Sequence, residues 1–203
     1  MKPSIENNLR SRQTSVDAVE PSIRFKEFGG AWEEAAFAEL APIRRGLTYT
    51  PTDCAKTGVR VLRSSNIDED VFVLHEDDVF VKSSAVNIPF AKDGDILITA
   101  ANGSSNLVGK HAIVQSATSG DFVPGGFMLL ASTTEPWFLH SLMGSPWYRE
   151  FVHRHMLGGN GALGNLGKAT FDEARPFVPS LPERRRIAEF FRNLDETIAA
   201  TNA

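Results

Sequence analysis

Between residues 59 and 130 the chain carries short β-prone runs that follow one another too closely to leave room for helices between them. Glycine, proline, aspartate or asparagine separates most of these runs, which occupy residues 59–63, 71–74, 79–81, 95–99, 112–114 and 127–130. A doubly wound sheet needs a helix between successive parallel strands. We therefore predict an α+β fold with a mostly antiparallel or mixed sheet.

After residue 136 the pattern becomes helical. A short apolar stretch predicts a first small helix, with Trp137, Phe138, Leu139, Leu142 and Met143. A second helix is predicted to begin at Pro146, with Ser145 as its N-cap, because proline suits the first helical position. Both helices are expected to complete the β-rich domain.

The last segment predicts a long C-terminal helix. Ser180 and Glu183 have the spacing of a capping box, in which each side chain satisfies the other residue's backbone N–H. Apolar residues then recur on one helical face, at Ile187, Phe190, Phe191, Leu194 and Ile198. A helix of about 20 residues is roughly 30 Å long, and its apolar stripe must be buried. The pattern leaves open whether the chain's own core or a partner helix covers it.

Composition excludes several classes of protein. The chain of 203 residues has 21 Lys and Arg against 25 Asp and Glu, a net charge of −4, which argues against a purely electrostatic nucleic-acid binder. Its apolar runs are too short to span a membrane. Residues 1–22 are mostly polar and are predicted to form a flexible tail rather than a secretory signal. Cys54, the only cysteine, excludes an internal disulfide. We expect a soluble, cytoplasmic protein.

Charge is distributed unevenly along the chain. Residues 42–66 contain five basic residues against Asp53 alone, residues 67–95 contain eight acidic residues against two lysines, and residues 96–120 contain Lys110 as their only full charge. A surface that binds phosphate should use the first and third segments and turn the second away. A solvated mosaic of charges explains the same counts.

Three near-motifs suggest cofactor chemistry, and each fails in its context. Residues 159–164 match G-x-G-x-x-G but follow a predicted helix, so a loop that approaches a partner's phosphate, or a plain mobile loop, fits better. Residues 103–110 resemble a P-loop, but the glycines lie one residue too far apart and His111 replaces Ser or Thr. Residues 87–90 differ by one substitution from the Asn-Pro-Pro-Phe motif of amino-methyltransferases, without a cofactor-binding unit upstream.

No catalytic or metal centre emerges from the other residues. His153 and His155 are two positions apart, which on a helix points them to different faces. No local motif indicates a Ser-His-Asp or Cys-His arrangement. The sequence therefore offers no convincing catalytic centre.

Several motifs in a fixed order resemble the specificity (S) subunits of type I restriction–modification systems. They are Ile23-Arg24-Phe25-Lys26-Glu27-Phe28, Trp32-Glu33, Gly94-Asp95-Ile96-Leu97, Asn106-Leu107-Val108-Gly109-Lys110, Gly125-Gly126-Phe127, Lys168-Ala169-Thr170-Phe171, Val178-Pro179-Ser180-Leu181-Pro182-Glu183, Ile187-Ala188-Glu189-Phe190-Phe191 and Leu194-Asp195-Glu196-Thr197-Ile198. The resemblance extends from about residue 23 to residue 198. It implies a β-rich target recognition domain at 23–179 and a conserved spacer or dimerisation helix at 180–203.

The resemblance also implies a function without catalysis by this chain. A specificity subunit has two recognition domains and two helices, reads a split DNA site, and is bound by methyltransferase (M) and restriction (R) subunits. S-adenosylmethionine, ATP and Mg²⁺ are then expected only in those partners, and this chain is expected to hold no cofactor. Because it has one recognition domain and ends at Ala203, the expectation is a natural half-subunit that pairs with itself, a truncated product or an inactive remnant.

Candidate contact residues follow from side-chain chemistry. Arginine can bind phosphate or guanine, and asparagine can read adenine. The DNA-binding candidates are Arg44, Arg45, Arg63, Asn66, Asn102, Ser104, Ser105, Asn106, Lys110, Asn160 and Lys168. The subunit-interface candidates are Ile187, Phe190, Phe191, Leu194 and Ile198. The alternatives are a protein-interaction module that reads no DNA and, less favoured, a stand-alone methyltransferase.

Overall fold

The computed structural model describes residues 19–117, 121–156 and 165–201. Most of the predicted tail, residues 1–18, lies outside this part. The described residues form twelve strands: β1 (Glu33–Glu34), β2 (Ile43–Arg45), β3 (Cys54–Ala55), β4 (Val59–Leu62), β5 (Ile67–Asp68), β6 (Val71–Phe72), β7 (Phe80–Val81), β8 (Ile96–Thr99), β9 (His111–Ile113), β10 (Phe122–Pro124), β11 (Met128–Ala131) and β12 (Phe177–Val178). Their five α-helices are α1 (Phe37–Leu40), α2 (Pro136–Met143), α3 (Pro146–Met156), α4 (Lys168–Asp172) and α5 (Leu181–Thr201).

Two four-stranded sheets form the centre of the molecule. The first has the strand order β2-β11-β8-β9 and is antiparallel throughout. The second has the order β10-β4-β7-β3, with β10 parallel to β4 and the other pairs antiparallel. Two-stranded pairs, β1 with β12 and β5 with β6, lie outside these sheets. The predicted α+β class with mixed, mostly antiparallel sheets is confirmed.

The first sheet is buried on both faces. Its residues Ile98 and Leu129 join a core cluster with Phe37, Leu139 and Phe171 from the helices. Successive strand residues point to opposite faces, so their neighbours belong to the other face. Leu97, Leu130 and Ala112 pack there with Leu62 and Phe122 of the second sheet. Burial on two faces explains why β8 and β11 are continuous apolar runs in the sequence.

The two small helices after residue 136 are present where the pattern predicts them. Helix α3 begins at Pro146, as expected for a proline that has no N–H to lose. The predicted cap by Ser145 is wrong in one respect: its hydroxyl is buried and has no hydrogen-bond partner. Only its carbonyl serves the helix, accepting a bond from the Arg149 N–H at 3.3 Å.

Helix α5 is attached to the domain by its first turns. The carboxylate of Glu183 accepts hydrogen bonds from Arg24 at 2.8 and 2.6 Å and from the Trp32 indole at 3.4 Å. Glu183 is therefore buried in an ion pair instead of forming the predicted capping box with Ser180. The helix packs along α2. No helix in the described part of the chain combines the length and apolarity needed to cross a bilayer.

Candidate nucleic-acid interface

The loops that follow β2, β4, β8 and β10 meet at one end of the two sheets. Backbone hydrogen bonds join them: Leu47 N–H to the Pro124 carbonyl (2.7 Å), Gly125 N–H to the Leu62 carbonyl (2.8 Å) and Ala100 N–H to the Phe127 carbonyl (2.9 Å). We call residues 46–49, 63–66, 100–107 and 125–127 the loop cluster. Its backbone is fixed by strands on several sides.

Glycines allow this close approach of chains. A Cβ atom added to Gly46 would lie 1.9 Å from the carbonyl oxygen of Gly125, a distance that no real contact shows. A Cβ on Gly125 would meet Val61 and the Leu62 carbonyl at 3.1 and 3.3 Å. The cluster can therefore form only where these positions lack a side chain.

Asn102 joins two of the candidate segments. Its amide nitrogen donates to the Ser64 hydroxyl at 3.0 Å, and its amide oxygen accepts from the Ser104 N–H at the same distance. The exposed Arg63 is thereby held beside the exposed polar loop of Ser104, Ser105 and Asn106. The structure thus brings five candidates together, with Asn102 in a positioning role.

The loop cluster contains no acidic residue. The basic side chain of Arg63 extends from it, and Arg45 lies at its border, at the end of β2. Segments 42–66 and 96–120, which the charge pattern singled out, therefore meet here. A surface of small polar groups with arginine and without carboxylates attracts polyanions.

Arg44 does not share this surface with Arg45. Adjacent strand residues point to opposite faces, and Arg44 is half-buried with one terminal nitrogen donating to the Phe90 carbonyl at 2.9 Å. The other terminal nitrogen is buried without a hydrogen-bond partner. Burial lowers the pKa of the Arg44 guanidinium, against the opposing effect of the Asp95 charge. We therefore no longer expect Arg44 to contact phosphate.

Asn66 is a structural residue rather than a base reader. It is fully buried, and its amide donates to the Val73 carbonyl (3.0 Å) and to Asp78 (2.9 Å) while accepting from the Arg63 N–H (2.8 Å). These bonds use its amide inside the protein. The sequence made it a candidate because its amide can bond to a base edge. The same amide can also bond to the protein's own backbone, and the sequence alone does not distinguish the two.

The remaining DNA-binding candidates are scattered or outside the description. Lys168 begins α4, which packs against β2, and its ammonium pairs with Asp172 at 2.6 Å. Lys110 is half-buried just before β9. Asn160 and the glycine motif 159–164 lie outside the described residues. The P-loop-like stretch forms a 3₁₀ turn at Ser105–Leu107 before a strand, so it lacks the helix that phosphate binding by such a loop requires.

Sequence reasoning missed Phe127. The run that contains it, residues 127–130, predicts a strand, yet its side chain is 75% exposed in the loop cluster. The two preceding glycines were the available signal, because they mark a tight loop rather than a strand interior. Among the described residues no group of acidic, histidine or cysteine side chains could hold a metal ion.

The subunit-interface candidates form an unpartnered stripe along α5. Phe190, Phe191, Leu194 and Ile198 are 42–51% exposed, and only Ile187 is half-buried. The stripe borders a groove of about 1320 Å³, whose other walls are α2, the β5–β6 hairpin and the segment around Ile23 and Phe25. The Phe25 and Phe190 rings meet edge to face at 5.8 Å between centroids. Folding of this chain thus covers only about half of the surface of the stripe.

Sequence comparison identifies a relative among the type I specificity subunits. The specificity subunit of the type I restriction enzyme StySPI from Salmonella potsdam is 26% identical over 180 residues, covering 85% of this chain and 38% of that protein. No protein-family model matches the chain. The match is to a specificity subunit and not to a methyltransferase or restriction subunit, which agrees with the prediction of a non-catalytic component.

Solved structures share the fold. A chain from a study of complex assembly and conformational transition of the type I R-M system covers 91% of this chain, with a TM-score of 0.63 and 15% identity. The HsdS subunit from Thermoanaerobacter tengcongensis covers 90%, with a TM-score of 0.57 and 13% identity. The S subunit from M. genitalium covers 83%, with a TM-score of 0.55 and 13% identity.

The chain spans about two fifths of the length of each of these proteins, 38–42%. The chain is therefore similar in sequence to a type I specificity subunit and has the fold of such subunits at about two fifths of their length, in agreement with the resemblance that its motifs indicate.

Proposed function

We propose that this chain recognises a specific DNA sequence as the specificity subunit, or half-subunit, of a type I restriction–modification complex. The observation that carries the proposal is the loop cluster, which collects Arg63 and the polar loop 102–106 on one carboxylate-free surface of a specificity-subunit fold. Bound there, double-stranded DNA would have its phosphates near arginine and its base edges near hydroxyl and amide groups.

The chain does no chemistry itself in this proposal. Its role is to direct methyltransferase and restriction subunits, which carry S-adenosylmethionine, ATP and Mg²⁺, to the target site in the cytoplasm. The recognition domain comprises residues 23–179, and residues 180–203 are the spacer helix. The Glu183–Arg24 ion pair would fix the angle at which that helix leaves the domain.

The apolar stripe of α5 is the proposed assembly surface. Four of its five side chains are 42–51% exposed, and an exposed patch of this kind marks a site of protein association. A second copy of the chain or a methyltransferase subunit would cover it. The same exposed stripe favours the alternative in which the chain serves assembly alone and reads no DNA.

One experiment separates these functions. The chain is co-expressed with the methyltransferase subunit of a type I system from the same genome, and the purified assembly is used to select duplexes from a randomised DNA library. We expect a stable complex and a sequence motif in the selected duplexes. A complex that selects no motif supports the assembly module, whereas absence of any complex contradicts the proposed role in restriction–modification.

A further inference from the structure

Phe127 is an exposed aromatic residue that the groove along α5 does not explain. Four large apolar side chains in the described part of the chain are more than half exposed: Ile23, Val71, Phe127 and Ile198, at 89, 61, 75 and 51%. Three of them line the groove beside α5. Phe127 alone lies at the other site, in the loop cluster.

The backbone of Phe127 is held on both sides. Its carbonyl accepts hydrogen bonds from the N–H groups of Ala100 (2.9 Å) and Ala101 (3.2 Å), and the next residue, Met128, donates to the Gly125 carbonyl at 2.8 Å. A Cβ at Gly126 would lie 3.3 Å from the Leu47 carbonyl, so the preceding backbone is also closely packed. The ring therefore projects from a fixed base, and order in this loop does not come from burying it.

The surroundings of Phe127 suit nucleic acid better than an apolar protein surface. Within the loop cluster it is the only large apolar side chain that is exposed, and the other exposed side chains of the cluster carry hydroxyl, amide or guanidinium groups. A protein interface of useful affinity has several apolar side chains at its centre. A duplex instead combines phosphates and polar base edges with small apolar features, such as thymine methyl groups and base-pair steps, which phenylalanine contacts in other complexes.

We propose that Phe127 contacts a base of the bound duplex and sets the sequence preference at one or two base pairs. Arg63 then holds the adjacent phosphate or guanine, and the 102–106 loop reads neighbouring base edges. The inference rests on the proposed DNA recognition and adds a specificity-determining residue to it. Because the backbone of Phe127 is already held before binding, the contact carries little ordering cost for that backbone.

The test compares duplex selection by the co-purified complex for three forms of the chain: wild type, Phe127→Ala and Phe90→Ala. Phe90 is the matched control, because it is also an exposed phenylalanine (42%) but lies near the other end of β10. Its neighbour Ala91 donates a hydrogen bond to the carbonyl of Phe122, where β10 begins, whereas Phe127 follows the end of that strand. Binding to the selected duplex, and to each single-base-pair variant of it, is then measured by fluorescence anisotropy. Thermal melts verify that all three forms are equally folded.

We expect Phe127→Ala to bind the selected duplex roughly tenfold more weakly and to lose discrimination at one or two adjacent base pairs only. Phe90→Ala should retain the wild-type motif and affinity. If Phe127→Ala selects the same motif as the wild type, the inference is overturned and the proposed function stays intact. Failure of the wild type to select any motif overturns both. Loss of methyltransferase-subunit binding by Phe127→Ala, with the motif kept, also overturns the inference and assigns the ring to a protein contact.

Discussion

Asn66 anchors the loop after β4 through a fully buried amide with three hydrogen-bond partners. Replacing it with alanine would leave the Arg63 N–H, the Val73 carbonyl and one Asp78 oxygen without that partner. We expect Asn66→Ala to lower the free energy of unfolding by about 2–3 kcal/mol, since buried polar groups that lose their bonds are costly. Urea denaturation measures the change.

The matched control is Asn106→Ala, at an exposed asparagine in the neighbouring loop. A surface change of this kind should alter the free energy of unfolding by less than about 0.5 kcal/mol. Equal stability of the two variants would contradict the anchoring role of Asn66. In DNA binding the two variants should differ in kind: Asn106→Ala changes base preference, whereas Asn66→Ala weakens binding to all duplexes.

His111 connects the stability of the domain to pH. Burial, and the nearby His140, lower its pKa from 6.5 to about 4, against the opposing charge of Asp70. Its ring contacts those of His140 and Tyr148 at centroid distances of 5.0 and 5.4 Å, and its Nδ1 lies 3.9 Å from Asp70. Burial lowers the pKa of His140 as well, opposed by the charges of Asp70 and Asp195.

The depressed pKa fixes the sign of the effect. Below pH 6.5 the unfolded chain takes up the proton first, so the stability present at neutral pH is lost as pH falls towards 4. The full effect of His111 is on the order of 3 kcal/mol. We expect His111→Phe to flatten this loss, with a smaller residual slope from His140. Urea midpoints at pH 7 and pH 5 provide the measurement, and parallel losses in both proteins would refute the assignment.

Individual contact residues were only partly predictable from the sequence. The sequence offers two arginines, Arg44 and Arg63, and two asparagines, Asn66 and Asn102, as equal candidates. In the structure Arg63 is exposed in the loop cluster and Asn102 positions its polar loop. Arg44 and Asn66 are bound to the protein itself. Burial decides between these outcomes, and it depends on which strands become neighbours, which local sequence does not encode.

At the scale of elements, the end of β2 and the turn before β11 pack backbone against backbone. A methyl group at Gly46 would lie 1.9 Å from the Gly125 carbonyl oxygen, whereas one at Gly103 would meet nothing within 4 Å. We expect Gly46→Ala to lower the free energy of unfolding by about 3 kcal/mol and to disturb the loop cluster, because the neighbouring backbone cannot move aside to admit the methyl group. Gly103→Ala should remain close to wild type. Denaturation midpoints of both variants decide the point, and a harmless Gly46→Ala would disprove this packing.

Helix α5 is attached at its beginning and exposed over most of its apolar stripe. Phe191 is 43% exposed and belongs to none of the core clusters, so Phe191→Glu leaves the core of the domain intact but places a carboxylate in the proposed seam. We expect loss of self-association or of methyltransferase-subunit binding, because an unpaired carboxylate is costly to bury. The free energy of unfolding should change by less than about 1 kcal/mol.

Asn193→Glu is the control, because it adds the same charge on another face of the same helix. Light scattering at high protein concentration and thermal melts compare the two variants with wild type. Loss of the cooperative transition in Phe191→Glu would make the stripe an internal core, and unchanged mass and partner binding would show that this face is no interface.

Elements were more predictable than contacts. Close spacing of apolar runs predicts mixed sheets, and the stripe in α5 predicts a long helix, because both patterns follow from local geometry. The predicted capping box does not form, because Glu183 pairs instead with Arg24, 159 residues away in the sequence. Phe127 was assigned to a strand because apolar chemistry alone cannot show that a glycine turn places it outside.

At the scale of the whole molecule, the proposed function requires that a net charge of −4 coexist with a surface that attracts DNA. Glu69 and Asp70 line the groove beside α5, away from the loop cluster. Asp78 accepts a hydrogen bond from Asn66 of the cluster, but its carboxylate is buried and pairs with Arg60. The cluster itself has no carboxylate. Separation of charge within one acidic chain thus provides a local attraction that screening confines to about 10 Å at 0.1 M salt.

This arrangement predicts how salt weakens DNA binding by the assembled complex. Each phosphate contact contributes a slope of about −0.9 to the plot of log affinity against log salt concentration. We expect Arg63→Ala to make that slope less steep by about one contact, because its side chain is exposed and has no acidic partner in the loop cluster. Arg44→Ala should leave the slope unchanged, since its guanidinium binds the Phe90 carbonyl inside the protein. Anisotropy titrations from about 50 to about 300 mM salt compare the two variants, each of which removes one positive charge. An identical slope for wild type and Arg63→Ala would show that Arg63 contacts no phosphate. A flatter slope for Arg44→Ala would reverse the assignment of the two side chains.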